Sequence, residues 1–361
     1  MRKKLHVSVI FNEPTVQTKE GRKFISESGM IQDGSTLETA RANGLVDMSE
    51  VGVVEEREDI QTALNSLGYQ TSIFNMSNNV DRLLEFLKSE KPDLIFNLVE
   101  SLGDEAIHEM HVAGIYEILE IPYTGSSPVT LGTCLNKART KEILAHHGIP
   151  TAKFIVCKHV NEINVDDFEM AFPLIVKPAK EDASVGIDND SIVDSLTALK
   201  KRVRFIFTRF DQPAIVEEYI EGRELNVAVL GNGKPVVLPI SEIDFSGLPA
   251  DYPKIVTYDA KWMNGTIEFA GTKGVCPADL PPTVEARVKD LALQAYHIMG
   301  CRDYARIDFR LTKNNKPFVL EVNPNPDISD DAGFIRSTTT YGYSFNETIG
   351  KIVECALKRN P

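Results

Sequence analysis

Apolar and polar residues follow two different periods along this chain, and the switches between them mark out its elements. Short apolar runs at Leu5–Phe11, Tyr69–Phe74 and Asp93–Leu98 predict buried strands. Between them, Val53–Leu67 and Asp81–Lys88 carry apolar residues at helical spacing, closed by Gly68 and by Lys91-Pro92. Strands alternating with helices predict a small parallel sheet. The polar stretch from Asn12 to about Ser49 predicts a long loop or insertion, and a helix follows over Gly103–Glu120. Ile121–Ser126 then reads as a domain boundary.

Beyond it the pattern is mixed. Helices are predicted over Asn136–His147, Ser195–Phe207, Thr283–Met299 (with Thr283 as its cap) and Asn346–Arg359. Strands are predicted at Lys153–Cys157, Pro173–Lys177, Ala214–Tyr219 and Glu224–Leu230, and Asn232-Gly233 turns the chain into Pro235–Ile240. Gly247–Gly274 lacks periodicity and reads as a mobile loop.

One stretch carries more than an element. Tyr304–Asp327 reads as two alternating strands around the turn Lys313–Lys316, where asparagines supply left-handed conformations. Counting outward from Asn314-Asn315 sets Asp308 opposite Glu321 and Arg306 opposite Asn323. Ala305, Ile307, Phe309, Leu320 and Val322 fall on the other, core-facing side. Two carboxylates directly opposite each other repel. A divalent cation between them removes the repulsion, and oxygen-only ligands suit Mg²⁺ on a nucleotide's phosphates. A solvated charged face is the competing explanation.

Composition narrows the class. With 361 residues the chain exceeds one ordinary core, so two or three lobes are expected. A formal charge of −13 with no basic stretch argues against a nucleic-acid or anionic-membrane partner. Five scattered cysteines without a CxxC pair suggest reduced thiols, hence a cytoplasmic protein. The start is basic then briefly apolar and lacks a cleavage site, which predicts a first strand rather than a signal peptide.

Candidate chemistry lies where elements end. Lys177 closes an apolar strand and leads into a loop whose backbone N–H groups can cover phosphates. Lys137 sits in the first turn of a helix, a poor place for a cation unless an anion is near. Lys261 lies in the segment read as mobile. Glu217 and Glu224 flank a turn between strands and are suited to accept from an exocyclic amine and from ribose hydroxyls. His108 and His111 lie three apart with no third ligand near in sequence.

In this order the pieces resemble the ATP-grasp enzymes, and most of all the D-alanine–D-alanine ligase branch, over nearly the whole chain from Asp93. PLIVKPAKEDASVGI resembles the family's phosphate loop, VEEYIEGRELNVAVL its hinge strand, and YDAKW its lysine-bearing loop. YARIDF with LEVNPNP resembles the metal-binding hairpin, and IPYTGSSP with LNKARTKEILAHHGIPT the entry to the central domain. The resemblance implies an α/β (α+β) ATP-grasp fold of three lobes. These are an N-terminal Rossmann-like substrate domain over 1–125, a central subdomain over 126–217, and a C-terminal catalytic subdomain with an antiparallel sheet over 218–361.

It also implies ATP held by Lys137, Lys177, Ser184, Lys261, Glu217, Tyr219, Ile220 and Glu224. Asp308, Glu321 and Asn323 would bind two Mg²⁺ ions, or Mn²⁺, with Arg306 and Lys261 as catalytic residues. The implied reaction phosphorylates a carboxylate and lets an amine attack the acyl phosphate. Small amino-acid or peptide-like substrates are the implied partners, and a homodimer is the family habit. The substrate side departs from the pattern. Val99-Glu100 replaces a histidine–glycine pair, although an acidic pair survives as Asp104 and Glu105. Ala183 and Trp262 stand for a serine and a tyrosine, and Asp327 stands for a glycine beside the reacting carbonyl. A ligase with altered amino-acid specificity is therefore expected. A true D-alanine–D-alanine ligase and a non-catalytic nucleotide-binding protein are the alternatives.

Overall fold

The computed structural model describes residues 4–13, 15–18, 21–24, 52–103, 105–163, 170–330 and 332–359. The chain divides into two compact units, Met1–Pro128 with Tyr343–Pro361, and Val129–Gly342. The expectation ran a C-terminal lobe on to residue 361, whereas the last helix belongs to the first unit.

In the first unit β1 (His6–Phe11) is buried along its whole length. It is the middle strand of a parallel sheet, because β4 (Gln70–Asn75) and β5 (Leu94–Leu98) pair with it on either side. Between β1 and β4 the chain forms a short hairpin, β2 (Thr15–Thr18) with β3 (Gly21–Phe24), and then helix α1 (Val53–Ser66). Apart from Asn12 and Glu13, the rest of the Asn12–Ser49 insertion lies outside the described residues. Helix α2 (Val80–Glu90) joins β4 to β5. The Asn79 side chain caps it, and it buries Leu83 and Leu87. Helix α3 (His108–Ile118) follows β5.

The second unit holds two antiparallel sheets and the candidate site. Helices α4 (Pro128–Leu135) and α5 (Lys137–His146) precede the first sheet. That sheet runs in the order β6 (Phe154–Cys157), β9 (Ala214–Glu218), β7 (Leu174–Pro178), β8 (Ile192–Val193). Helix α6 (Leu196–Phe210), capped by Ser195, covers it with Leu199, Val203 and Ile206. Spacings of four and three put these on one face, and each contributes about 1.5–3 kcal/mol when removed from water.

The second sheet runs β13 (Lys273–Val275), β12 (Ser241–Asp244), β10 (Gly222–Leu230), β14 (Tyr304–Thr312), β15 (Pro317–Asn323), and β11 (Val236–Val237) pairs with the end of β10. Two short helices, α7 (Tyr258–Trp262) and α8 (Ile267–Gly271), occupy the segment read as a mobile loop. Thr257 and Thr266 start them by accepting from the N–H groups of Ala260 and Phe269. Each is too short to show an apolar period, which is why periodicity missed them. Helix α9 (Pro282–Ile298) packs Val288, Leu291, Ala292 and Ala295 into the core under this sheet. Thr283 is not its cap. Pro282 holds the first helical position, where a fixed φ and a missing N–H cost nothing. Helix α10 (Gly333–Tyr341) closes the unit. Helix α11 (Phe345–Lys358) packs on α1 of the first unit, started by a reciprocal Ser344–Glu347 cap.

Candidate active site

The hairpin of β14 and β15 sets Asp308 opposite Glu321 and Arg306 opposite Asn323. Its turn is tighter than counting assumes. Thr312 and Lys316 close a three-residue loop in which Asn315 takes the left-handed φ of 58°. That alone would slide the register by one. A β-bulge beyond Asp308 pairs Phe309 with Val319, leaves Leu320 as the extra residue, and restores the alignment. Leu320 is therefore not the core residue expected. Val319 takes the core position, fully buried, while Leu320 and Glu321 both line the pocket.

This pocket encloses about 760 Å³, its open mouth included. It lies within the second unit. Lys177 and Glu217 reach it from the first sheet, and Glu224, Arg310 and Glu321 from the second. Of the residues singled out from sequence, Lys137, Lys177, Ser184, Glu217, Tyr219, Ile220, Glu224 and Glu321 line it. Arg306, Asp308, Asn323, Lys261, Trp262 and Asp327 are not among its lining residues, although all are in the same unit. Glu105 belongs to the first unit and is exposed, and Asp104 lies outside the described residues.

Asp308 is heavily hydrogen-bonded. Arg306 Nε and Nη2 donate to it at 2.9 Å each, Asn226 Nδ2 at 2.8 Å and Asn323 Nδ2 at 3.0 Å. Burial works against the charge on Arg306, and Asp308, Glu321 and Asp327 more than restore it. Burial likewise opposes charge on Glu321, but Lys137, Lys177 and Arg306 hold it below the usual carboxylate range. Asn323 donates to both carboxylates, so acting as an oxygen ligand requires its amide to turn over. Among the described residues no group of three or more His, Cys, Asp or Glu is placed to hold a metal ion. The donor set on offer is two carboxylates and an amide oxygen, hard ligands that suit Mg²⁺ completed by phosphate oxygens and water. The His108 and His111 rings bond each other, Nδ1 to Nδ1 at 2.9 Å.

Glu217, expected on adenine, lines the pocket and is engaged by two lysines. Its oxygens meet Lys177 Nζ at 2.9 Å and Lys141 Nζ at 3.1 Å. Burial would raise this carboxyl, and the two ammonium groups outweigh it and hold it low. Lys141 is 0% exposed and donates to Thr151 Oγ1, which donates to the Val319 carbonyl. Burial lowers the pKa of Lys141, and the neighbouring Glu217 carboxylate opposes that fall. Sequence reading passed over Lys141, yet it lies four residues beyond Lys137 on one helical face.

The two loops expected over the phosphates touch. Ala183 and Ser184 adopt positive φ of 47° and 62°. The Ala183 carbonyl accepts from Trp262 Nε1 at 2.9 Å, and Ser184 Oγ donates to the Val256 carbonyl at 3.1 Å. Lys261 Nζ lies 4.5 Å from the centre of the Trp262 ring, and Lys137 Nζ donates to the Glu181 carbonyl. Asp327 accepts from Ser329 N–H and O–H at 2.9 and 2.6 Å. Burial opposes its charge, and Lys261, Ser329 and Arg306 hold it ionised.

At the other end, Glu224 pairs with Arg310 at 3.1 Å. Burial pushes its carboxyl up to about 7, with Arg310 pulling the other way and Asp308 and Glu321 adding to the rise. Arg310 was missed from sequence, although Arg306, Asp308 and Arg310 are two apart and share a strand face.

A family model described as the D-ala D-ala ligase C-terminus matches residues 143–354. The D-alanine–D-alanine ligase of Bordetella petrii is 32% identical over 96% of this chain and 97% of its own length. An uncharacterized protein, y4sG, of Sinorhizobium fredii is also 32% identical, over 84% of this chain and 87% of its own. The crystal structure of D-alanine–D-alanine ligase from Bacillus anthracis complexed with ATP covers 98% of both chains with a TM-score of 0.72 at 23% identity. Sequence and architecture agree, and the chain belongs to the D-alanine–D-alanine ligase family of ATP-grasp ligases.

Proposed function

We propose that this chain is an ATP-dependent carboxylate–amine ligase whose donor or acceptor is an amino acid or small peptide-like molecule other than two free D-alanines. The observation that carries the ligase reading is the pocket's charge pattern. Three cationic side chains, Lys137, Lys177 and Arg310, share it with six acidic ones, Glu181, Asp182, Glu217, Glu218, Glu224 and Glu321. A bare polyphosphate is repelled by such a lining, whereas one carrying divalent cations is not.

In this reading Lys137, Lys177 and Lys261 hold phosphate oxygens, and Ser184 sits in the loop above them. The backbone at Tyr219 and Ile220 takes the base, and Glu224 takes the ribose. Glu217 acts one step removed, fixing Lys177. Asp308, Glu321 and Asn323 hold up to two Mg²⁺ ions, which supply charge neutralisation at the phosphates when bound. Arg306 faces the charge that develops on the transferred phosphoryl group and then on the attacked carbonyl. A substrate carboxylate oxygen bonds to the γ-phosphorus as its bond to the ADP oxygen breaks. The amine nitrogen then bonds to the carbonyl carbon, phosphate leaves, and the nitrogen gives up a proton.

Altered specificity is supported by residues at the reacting end. Asp327 is held as a carboxylate by Lys261, Ser329 and Arg306, and Trp262 is fastened to Ala183. These are a charge and a bulk absent from the family pattern. The D-alanine–D-alanine reaction itself is the second reading, favoured by the 32% identity to the Bordetella petrii ligase along nearly the whole chain. A panel of D- and L-amino acids and dipeptides with ATP and Mg²⁺, scored by ADP release and product mass, separates them. Product from D-alanine alone would favour the second reading, and no carboxylate-stimulated ADP would overturn both.

A further inference from the structure

Arg202 stands on the buried face of α6 with Leu199, Val203 and Ile206, where an arginine is rare unless it is paired. It is not among the residues that line the pocket. Its guanidinium reaches instead to the loop that follows β7. Nη2 donates to the Gly186 carbonyl at 2.7 Å and to Ser191 Oγ at 2.8 Å, and Nη1 donates to Asp188 Oδ2 at 2.8 Å. Asp188 and Ser191 are themselves tied together, since the Asp188 N–H donates to Ser191 Oγ at 3.0 Å. Gly186 is wedged at the same point. Its φ is 72°, and a Cβ there would lie 2.6 Å from Pro178 Cγ and 2.9 Å from the Phe210 ring. Val185 and Ile187, on either side of Gly186, line the pocket, as do Glu181, Asp182 and Ser184. Arg202 thus grips the loop from outside the pocket.

We propose that Arg202 is a positioning residue for the nucleotide's phosphates, acting through Gly186, Asp188 and Ser191 to hold the loop in its binding shape. Ala183 and Ser184 both take left-handed φ, a conformation that a non-glycine residue keeps only where its surroundings impose it. On one side the loop is held by α7, which carries Lys261. Trp262 donates to the Ala183 carbonyl, and the Tyr258 N–H donates to the Ile187 carbonyl at 2.9 Å. That helix is only five residues long. Arg202 supplies the firmer side, because α6 is packed into the core of the first antiparallel sheet. A planar fork reaches three acceptors at once. A lysine ammonium keeps the charge opposite Asp188 and does not span them.

This inference rests on the reading of that loop as a cover for phosphates, and the experiment separates the two. Binding of Mg²⁺-ATP is measured by calorimetry on the full chain for wild type, Arg202→Met and Arg202→Lys. Arg204→Met, on the exposed face of the same helix, is the control. Wild type and Arg204→Met bind alike. Arg202→Met and Arg202→Lys weaken binding at least about tenfold at unchanged stoichiometry, the scale of one lost hydrogen bond from a charged group. Both also move the emission of Trp262 to longer wavelength before nucleotide is added, as the loop beneath the indole relaxes. The lysine variant carries the test should the methionine variant fail to fold. A purely structural arginine would lower the number of binding sites and leave the dissociation constant of the folded remainder as it was. That result, wild-type affinity in Arg202→Lys, or unmoved emission overturns the role of Arg202. No binding of Mg²⁺-ATP by wild type overturns the nucleotide reading itself.

Discussion

Asp308 and Glu321 stand directly across two antiparallel strands, although the turn that joins those strands is one residue tighter than the alignment needs. The bulge at Leu320 supplies the missing residue and turns Glu321 toward the pocket. Glu321→Gln keeps the shape and removes the charge that Lys137, Lys177 and Arg306 surround. Turnover is expected to fall at least about 100-fold, the scale on which single electrostatic groups in active sites act. The melting temperature should move by only a few degrees. Retained activity in a steady-state ADP assay would show that Glu321 is not a ligand of the catalytic cation.

Glu217 supplies a pH signature. Its carboxyl lies below the ordinary 4.5 because, against burial, Lys141 and Lys177 favour the charged form. Between the folded value and 4.5 the unfolded chain binds more protons, so stability rises with pH across that window. The contribution is whole above 4.5 and is lost as pH falls through the folded value. Glu217→Gln strands two buried ammonium groups and should cost about 3–5 kcal/mol at pH 7. In acid unfolding followed by circular dichroism, the gap between wild type and variant narrows below pH 4.5. A gap that stays constant to pH 3 contradicts the pairing.

The hairpin was legible in sequence because parity along a strand needs only counting, and two one-residue offsets, the tight turn and the bulge, cancel. Leu320 was misread for the same reason, since a bulge leaves no trace in an apolar–polar pattern. Lys141 and Arg310 could have been found by extending the reasoning already used for Lys137 and Asp308, four residues along a helix and two along a strand. Glu217 could not. That its carboxylate meets two lysines is a product of packing between α5, β7 and β9, which no local pattern records. Helix α10 begins with glycine and ends in threonines and tyrosine, too weak a helical signal to read.

Trp262 is the chain's one tryptophan and donates its indole N–H to Ala183. Its emission is thus a reporter of whether the lysine-bearing helix rests on the phosphate loop. Mg²⁺-ATP should shift wild-type emission saturably. Trp262→Phe, which keeps a ring beside Lys261 but loses the bond, should raise the KM for ATP about fivefold, the equivalent of about 1 kcal/mol. An unchanged KM would mean that the contact does not hold the loops together.

The central claim is that this protein activates a carboxylate by phosphorylating it, and oxygen tracing tests that most directly. A substrate from the amino-acid panel is labelled with ¹⁸O in its carboxylate and turned over with unlabelled ATP, and the released phosphate is examined by mass spectrometry. One ¹⁸O atom per turnover in the phosphate is the predicted result, because the carboxylate oxygen that attacks phosphorus leaves with it. Unlabelled phosphate accompanying amide product would contradict an acyl-phosphate route, and with it the account given for Arg306, Asp308 and Glu321.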